Sequence, residues 1–426
     1  MAIAHIVSRG RIFYGWYIVA VAAIAGASAG VLGYSFGLFF DPMRESLGWS
    51  RTSISWAIAI RSVINMLTGP IYGPIVDRKH GALILMAGGG VVLGISMMLT
   101  AAMTELWQFY LLIGVAYGLA MGAEGSQVVA PVVISKWFIR RRGRALAIVT
   151  LGPNVGNIIF IPLAAFIILN FGWREAWFIS GLFALLMVSP LSALFVRRTP
   201  EDIGLRPDGD THDQASERAT DTQRPDLVTD YDWTLREAVR TPGLWMMVAA
   251  FTVSGAGLGG FLVHVLPALT DKGYSTAFAT AMVAELSVVV LVAKMVWGFL
   301  GERIQVRYLM MVSFVLSAMG LFLVVVVDRG NLILLLPLVY GIGGAGYGPL
   351  SSLMWANYFG RRSLGSIRGA LLPITQVVSA FSPVFAGAVF ESEGSYDLAF
   401  IIFGLCFVFA AGAIYVARRP EPPKPV

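Results

Sequence analysis

The sequence predicts an all-α polytopic membrane protein with twelve transmembrane helices in two six-helix repeats. Three observations predict it. Only 13% of the 426 residues are charged while 57% are hydrophobic, against a charged share of about a quarter in soluble domains. Apolar runs of about twenty residues, enough helix to cross a bilayer core of about 30 Å, recur from Ile12 to Val416. Motifs of the first half also return in the second half at nearly fixed spacing.

Charged or Gly/Pro-marked breaks divide the chain into spans at roughly 14–40, 53–76, 83–103, 107–135, 146–170 and 174–196, then 243–269, 276–300, 308–327, 331–357, 367–390 and 397–417. The first run follows Arg9 and Arg11 as a signal peptide would, but it exceeds an h-region and no AxA-type cleavage site closes it, so it is read as span one. Even-numbered breaks carry Arg78 and Lys79, then Lys136, Arg140, Arg141, Arg142 and Arg144, then Arg303 and Arg307, then Arg361, Arg362 and Arg368. Odd-numbered breaks carry sparser basic residues (Arg44, Arg51, Arg174, Lys272, Arg329) beside Asp41, Glu45, Glu391, Glu393 and Asp397. The excess of Lys and Arg marks the even breaks as cytoplasmic, which puts both termini in the cytosol. The expected location is the inner (plasma) membrane.

One long polar segment, 197–241, separates a six-helix bundle at 1–196 from a second at 242–426, and its composition is that of a flexible cytoplasmic linker. Its end, Thr234–Arg240, reads either as a short amphipathic surface helix or as a solvated loop.

The halves repeat in parallel order. Gly73-x-x-x-Asp77-Arg78 returns as Gly298-x-x-x-Glu302-Arg303, 225 residues on. Tyr117-Gly118 returns as Tyr340-Gly341 at 223, and Trp137-Phe138 as Tyr358-Phe359 at 221. Trp177-Phe178 corresponds to Ala399-Phe400 at 222. Two such halves related by an axis along the membrane normal, with a site between them near mid-membrane, form a transporter architecture.

Other classes are excluded by what the chain lacks. A single cysteine, Cys406, allows no disulfide framework or thiolate metal cluster, and His5, His80, His212 and His264 have no metal-ligand spacing. No cluster of catalytic residues is recognisable, so no enzyme, cofactor or metal site is expected. The net charge of +6 is split into short clusters between spans and makes no long basic face for nucleic acid.

The stretch Gly73-Pro-Ile-Val-Asp77-Arg78-Lys-His-Gly81 resembles the GxxxD(R/K)xG motif of the major facilitator superfamily, with one extra residue before the last glycine and without the usual trailing basic residues. Trp137-Phe-Ile-Arg-Arg-Arg-Gly-Arg-Ala-Leu-Ala-Ile-Val-Thr-Leu-Gly152-x-x-x-Gly156 is similar to the span-four-to-five signature of monocarboxylate transporters, and Tyr14-Gly-Trp16 to their span-one signature. Thr199-Pro-Glu-Asp-Ile-Gly-Leu-x-Pro-Asp-Gly209 and Tyr358-Phe-Gly-Arg-Arg-Ser-Leu-Gly-Ser-Ile-Arg-Gly369 resemble bacterial monocarboxylate and oxalate/formate-type carriers. The resemblance implies the major facilitator fold and carriage of a small organic anion. It also implies that Lys294, four residues before Gly298, stands where these carriers place a span-eight arginine for the substrate carboxylate. Lysine keeps the charge and loses the bidentate fork. The acid that monocarboxylate transporters set four residues earlier corresponds to Val290, and the second cation that oxalate-type carriers set in span eleven is absent between Gly369 and Pro383.

Ionisable residues inside apolar spans cost about 2.5–3.5 kcal/mol each at the bilayer centre, so each invites a functional reading. Lys294 lies eight residues before Glu302, about 12 Å along the helix, and reads as the anion site or as half of a structural ion pair. Glu285 is nine residues earlier, half a turn away around the helix, and is either a proton-coupling residue or an outer structural acid. Glu124, in Met-Gly-Ala-Glu-Gly-Ser-Gln, reads as a proton carrier, as a partner of Arg61 or Lys294, or as a hydrogen-bonded interhelical residue; Tyr117 and Gln127 share its helix face. Arg61, sixteen residues before Asp77, either lines an outer cavity or snorkels outward.

Tyr34, Tyr117 and Tyr347 are candidate cavity aromatics or interhelical packing, and Asn154 a polar contact or an interhelical hydrogen bond. His264, before Pro267, is a candidate gate. Asp77, Arg78, Arg141 and Arg142 in one half and Glu302, Arg303, Arg361 and Arg362 in the other are candidate gating ion pairs, or only positive-inside anchors.

The sequence therefore predicts a secondary transporter of a small, monocarboxylate-like organic anion, proton-coupled and working by alternating access. Its expected partners are substrate, proton and lipid bilayer, with one chain as the working unit. The alternatives are a proton-coupled exporter of cationic or apolar compounds using Glu124 and Glu285, and a dicarboxylate or anion exchanger in which Arg61 supplies the second charge.

Overall fold

The computed structural model describes residues 12–124, 127–210, 231–327 and 331–422; the side chains of 29–37, Arg51 and Glu124 lie outside the description. Among the described residues all regular structure is helical. Among the described residues eleven helices are long and apolar enough to cross a membrane. Span one supplies a further helix, Gly15–Leu47. Spans two to six are Arg51–Val76, Gly81–Ala101, the interrupted 106–137 segment, Arg142–Phe171 and Trp173–Phe195. Spans seven to twelve are Pro242–Asp271, Thr276–Leu300, Val306–Val326, the interrupted 331–359 segment, Leu364–Glu393 and Asp397–Val416.

Local chemistry sets many of these ends. Ser50 and Ser275 cap spans two and eight by accepting the Ser53 and Phe278 N–H groups. Pro242 opens span seven where its missing N–H has no partner to lose. Gly48, at φ 70°, stops span one by turning its N–H back to the Arg44 carbonyl.

The chain forms two compact units. One comprises Met1–Arg224 with Arg361–Ala370, the other Pro225–Gly360 with Leu371–Val426. In the first, span five lies on span one because Gly152 and Gly156 bring its backbone against the Ala23 and Ala27 carbonyls, and a Cβ at either position would overlap them. Small residues give helices such close approach where lipid provides no hydrophobic drive.

The repeated Tyr-Gly pair does the same work in both units. A Cβ on Gly118 of span four would meet Ile64 of span two at 3.0 Å, and one on Gly341 of span ten would meet Val289 of span eight at 2.9 Å. Ile64 and Val289 are themselves 225 residues apart, the offset of the Gly73 and Gly298 motifs.

Spans four and ten are not continuous helices. Span four runs as Leu106–Phe109, a π-helical stretch Tyr110–Ala116, Tyr117–Glu124 and, after a break, Val129–Trp137. Span ten runs as a 3-10 turn Asn331–Leu335, Leu336–Ala345 and Tyr347–Phe359. The offset of 222 carries Glu124, at the first break, onto Gly346, at the second. Apolarity alone had predicted unbroken helices, because hydropathy does not register a local change of hydrogen-bond pattern.

The expectation of a flexible linker needs correction at its first end. Residues 199–210 are ordered by a 3-10 turn Pro200–Ile203, buried Pro200 and the carboxylate of Asp208. Asp208 accepts the backbone N–H groups of Ile139, Arg140 and Arg141 at 3.0, 2.9 and 3.2 Å, holding the loop that enters span five. Its own backbone is left-handed, φ 59°, which Asp tolerates better than most residues. Arg140 pairs with Asp210, and Arg198 with Asp202 at 3.1 Å.

Polar composition is as expected of a linker, but an acid facing orphan N–H groups folds. At the other end Leu235–Ala238 is one helical turn, closed by a Thr234/Glu237 capping box. The Thr234 backbone N–H and hydroxyl, with the Tyr231 hydroxyl, hold the Glu237 carboxyl below its ordinary pKa. Asp208→Ala is expected to free the strap and the loop it holds: with charge-assisted bonds worth about 1.5–3 kcal/mol each, trypsin cleavage after Arg140, between the two arginines whose N–H groups Asp208 accepts, should accelerate about tenfold or more. An unchanged cleavage rate would contradict the anchoring.

Candidate functional site

In the second unit, Lys294 is on span eight, six residues before the helix ends at Leu300, about 9 Å along the axis. It is half-buried beside Ala293 and Trp297, which pack inward. Trp297 fixes that face by donating its indole N–H to the Ile342 carbonyl of span ten at 2.7 Å. Lys294 therefore stands on the arginine-bearing side of the helix midpoint, halfway between centre and end. Glu285 is exposed and shares a stripe with exposed Val288, Val292 and Val296, half a turn from Lys294 around the helix.

Tyr347, the first residue after the span-ten break, is half-buried with its ring edge-on to Phe251 at 5.9 Å. His264 donates from Nε2 to the Pro383 carbonyl at 3.0 Å, and its ring lies 4.9 Å from that of Tyr396.

In the first unit, Arg61 is buried, 9% exposed, with its guanidinium 5.7 Å from the centre of the Tyr117 ring. Burial decides against the snorkelling alternative. The offset of 225 places Arg61 opposite Leu286, a core residue of the other half, so a cation occupies a position that its repeat fills with an aliphatic side chain. Tyr117 is fully buried within the core of this unit, where its ring faces the cation.

Gly118 and Gly122 receive span two, against Ile64 and Thr68, so that room is taken by a helix. Gln127 is exposed in the turn after the break. Asn154 is half-buried on span five, one residue beyond Pro153, which packs on Gly26. The side chains of Tyr34 and Glu124 lie outside the description; Glu124 is the last described residue of the stretch Tyr117–Glu124.

The gating residues are wired differently from expectation. Asp77 pairs with Lys136, not with Arg141 or Arg142: Lys136 Nζ donates to it at 2.6 Å, and the Ser366 N–H, Ser366 hydroxyl and Gly365 N–H donate at 2.8, 2.9 and 3.3 Å. This sets a carboxylate on the N-terminus of span eleven, where dipole and orphan N–H groups favour an anion. Gly73 and Gly365 let the two backbones meet.

Arg142 is wholly buried and turns back to the Phe138 and Ser135 carbonyls at 2.9 and 3.1 Å, capping the preceding helix. Arg141, Arg78 and Arg362 are exposed, and Arg361 donates to the Lys136 carbonyl at 2.8 Å and lies 3.6 Å from Glu201. Arg303 stacks on Phe299 at 4.2 Å, and Glu302 follows the end of span eight.

Sequence reasoning missed Lys136, Ser366 and Asp208. The signal for Lys136 was its position inside an apolar helix, Val129–Trp137, rather than after it. Among the described residues no group of His, Cys, Asp or Glu side chains could hold a metal ion.

The chain matches the Major Facilitator Superfamily over residues 18–290 and 279–426. Human monocarboxylate transporter 12 is 24% identical over 426 residues, covering 95% of this chain and 80% of its own. The oxalate:formate antiporter of Oxalobacter formigenes is 23% identical over 430 residues, covering 98% and 95%. In fold, the chain is similar to the proton:xylose symporter XylE bound to 6-bromo-6-deoxy-D-glucose, with a TM-score of 0.75, 15% identity and 95% of each chain covered. FucP in its outward conformation gives 0.62 at 12% identity, covering 94% and 99%. Family match, fold and apolar spans agree that this chain belongs to the major facilitator superfamily and is a multi-pass membrane transporter, not an enzyme.

Proposed function

We propose that the chain carries a small monocarboxylate-like anion across the inner (plasma) membrane by alternating access, in symport with a proton, with both termini cytoplasmic. The observation that carries this reading is Lys294, a half-buried cation in a membrane helix whose one other ionisable residue is the exposed Glu285, where charge is costly enough to require a purpose. The buried Arg61–Tyr117 pair adds positive potential in the other half. Relatives named as monocarboxylate transporters and as an oxalate:formate antiporter support an organic anion as the class of substrate.

The two helix breaks, at Glu124 and at Gly346, support a substrate pathway along spans four and ten, since discontinuous helices expose backbone groups and end dipoles to transported ions. Glu124 is the proposed proton site, with Gln127, Asn154, Tyr347 and Tyr34 as candidate polar lining and Glu285 as the second acid. Asp77 with Lys136 and Ser366 is the proposed gate: the carboxylate must leave the span-eleven N-terminus for that end to open. Arg78, Arg141, Arg142, Glu302, Arg303, Arg361, Arg362 and His264 complete the proposed gating set, with bundles at 1–196 and 242–426.

Uptake of a labelled short-chain monocarboxylate into proteoliposomes tests this. An inward proton gradient should raise the initial rate several-fold, and Glu124→Gln should remove the gradient dependence. Equal rates with and without the gradient would remove the proton from the scheme.

A further inference from the structure

Asn157 stands at the midpoint of span five, Arg142–Phe171, a helix with no ionisable side chain after Arg144. The residue is half-buried, and its Oδ1 is shut off from solvent with no hydrogen-bond donor among the described residues. Because protein atoms do the burying, the amide faces inward rather than toward lipid. A buried acceptor without a donor is costly, and native structures keep few of them without a reason.

A second acceptor lies beside it. The Ile158 carbonyl would receive its helical hydrogen bond from residue 162, which is a proline and has no N–H. The repeat shows how such a carbonyl is otherwise satisfied. Pro162 returns as Pro383 in span eleven, 221 residues on, the offset of Trp137 and Tyr358. There the carbonyl freed by the proline is that of Ser379, and the Ser382 hydroxyl donates to it at 3.1 Å. The same offset sets Ile158 against Ser379, Ile161 against Ser382 and Asn157 against Val378. Relative to its repeat, span five has gained an acceptor and lost a donor within about one turn, so a donor from outside the chain would complete it.

The chemistry of that donor is restricted. A carboxylate offers acceptors only, so the anionic end of a cargo cannot fill the place. An ammonium would meet no counter-charge on span five, and a buried charge without one is unfavourable. A hydroxyl supplies the O–H that Ser382 supplies in the repeat.

We propose that Asn157, with the Ile158 carbonyl, accepts a hydrogen bond from a hydroxyl of the transported anion and so selects hydroxylated over plain monocarboxylates. This rests on the anion reading above and narrows it. The test titrates full-length protein in detergent, at constant pH and ionic strength, with two three-carbon acids, 2-hydroxypropanoate and propanoate. Affinity is read from the concentration dependence of the melting temperature.

The hydroxy acid should bind about tenfold or more tightly, since buried acceptors discriminate against a ligand that leaves them unpaired. Asn157→Val, which installs the residue of the repeat, should erase most of that preference. It should also raise the melting temperature of the ligand-free protein, an effect that a merely structural amide would not give. Ile161→Ser, which returns the repeat's hydroxyl to the Ile158 carbonyl, should lower the preference as well. Asn170→Val, at an exposed amide near the end of the same helix, should keep it.

Equal affinity for the two acids in the wild type, or a preference that survives Asn157→Val, would overturn this inference and leave the anion reading standing. Binding of neither acid would overturn both. If Asn157→Val fails to fold, the wild-type ratio and Ile161→Ser still decide.

Discussion

Lys294→Gln should reduce anion uptake by about ten- to a hundredfold while the protein still reaches the membrane and melts as a single species. The magnitude is that of one charge-assisted hydrogen bond to a carboxylate, about 1.5–3 kcal/mol, at about 1.4 kcal/mol per tenfold. Lys294→Arg should keep most of the uptake, because the charge remains and the fork returns. Initial rates in proteoliposomes at matched protein density check both. Normal uptake by the glutamine variant would remove Lys294 from the site.

Asp77→Asn should be the most disruptive single change at the arginine-bearing end. Lys136 is 3% exposed, and taking the charge from its 2.6 Å partner leaves a buried ammonium uncompensated, a loss of about 3–5 kcal/mol for such pairs. The Gly365 and Ser366 N–H groups lose their carboxylate at the same time. Their hydrogen exchange should quicken about a hundredfold or more, by the same conversion. Asp77→Asn combined with Lys136→Met should recover part of the lost stability, since the orphaned charge is then gone. Unchanged exchange at 364–367 would show that Asp77 does not hold span eleven.

Most of the fold was legible because the membrane imposes one strong rule: apolar helix of sufficient length, ended by charge or by Gly and Pro. Span eight was expected at 276–300 and is Thr276–Leu300. The repeat was legible for a related reason, since Gly118 and Gly341 accept equivalent partners from spans two and eight.

What hydropathy cannot carry is hydrogen-bond detail. The break in span four falls in Met-Gly-Ala-Glu-Gly-Ser-Gln and that in span ten in Gly-Gly-Ala-Gly-Tyr-Gly-Pro, a local glycine and polar signal that hydropathy averaged over a whole span smooths away. The folding of 199–210 depends on one carboxylate meeting three N–H groups, and polar composition hides that. The partner of Asp77 was misjudged because cations were sought in the loops, whereas Lys136 sits inside its helix. Arg61 was recognised as out of place, but only the Tyr117 ring beside it decides between burial and snorkelling.

The central claim, that a small organic anion is the cargo, is tested most directly by thermal stabilisation of the purified protein across monocarboxylates, dicarboxylates and cationic compounds, since only a ligand preferring the folded state raises the melting temperature. The account predicts a concentration-dependent rise with monocarboxylates that disappears in Lys294→Gln. A rise with cationic compounds and none with any carboxylate would contradict it.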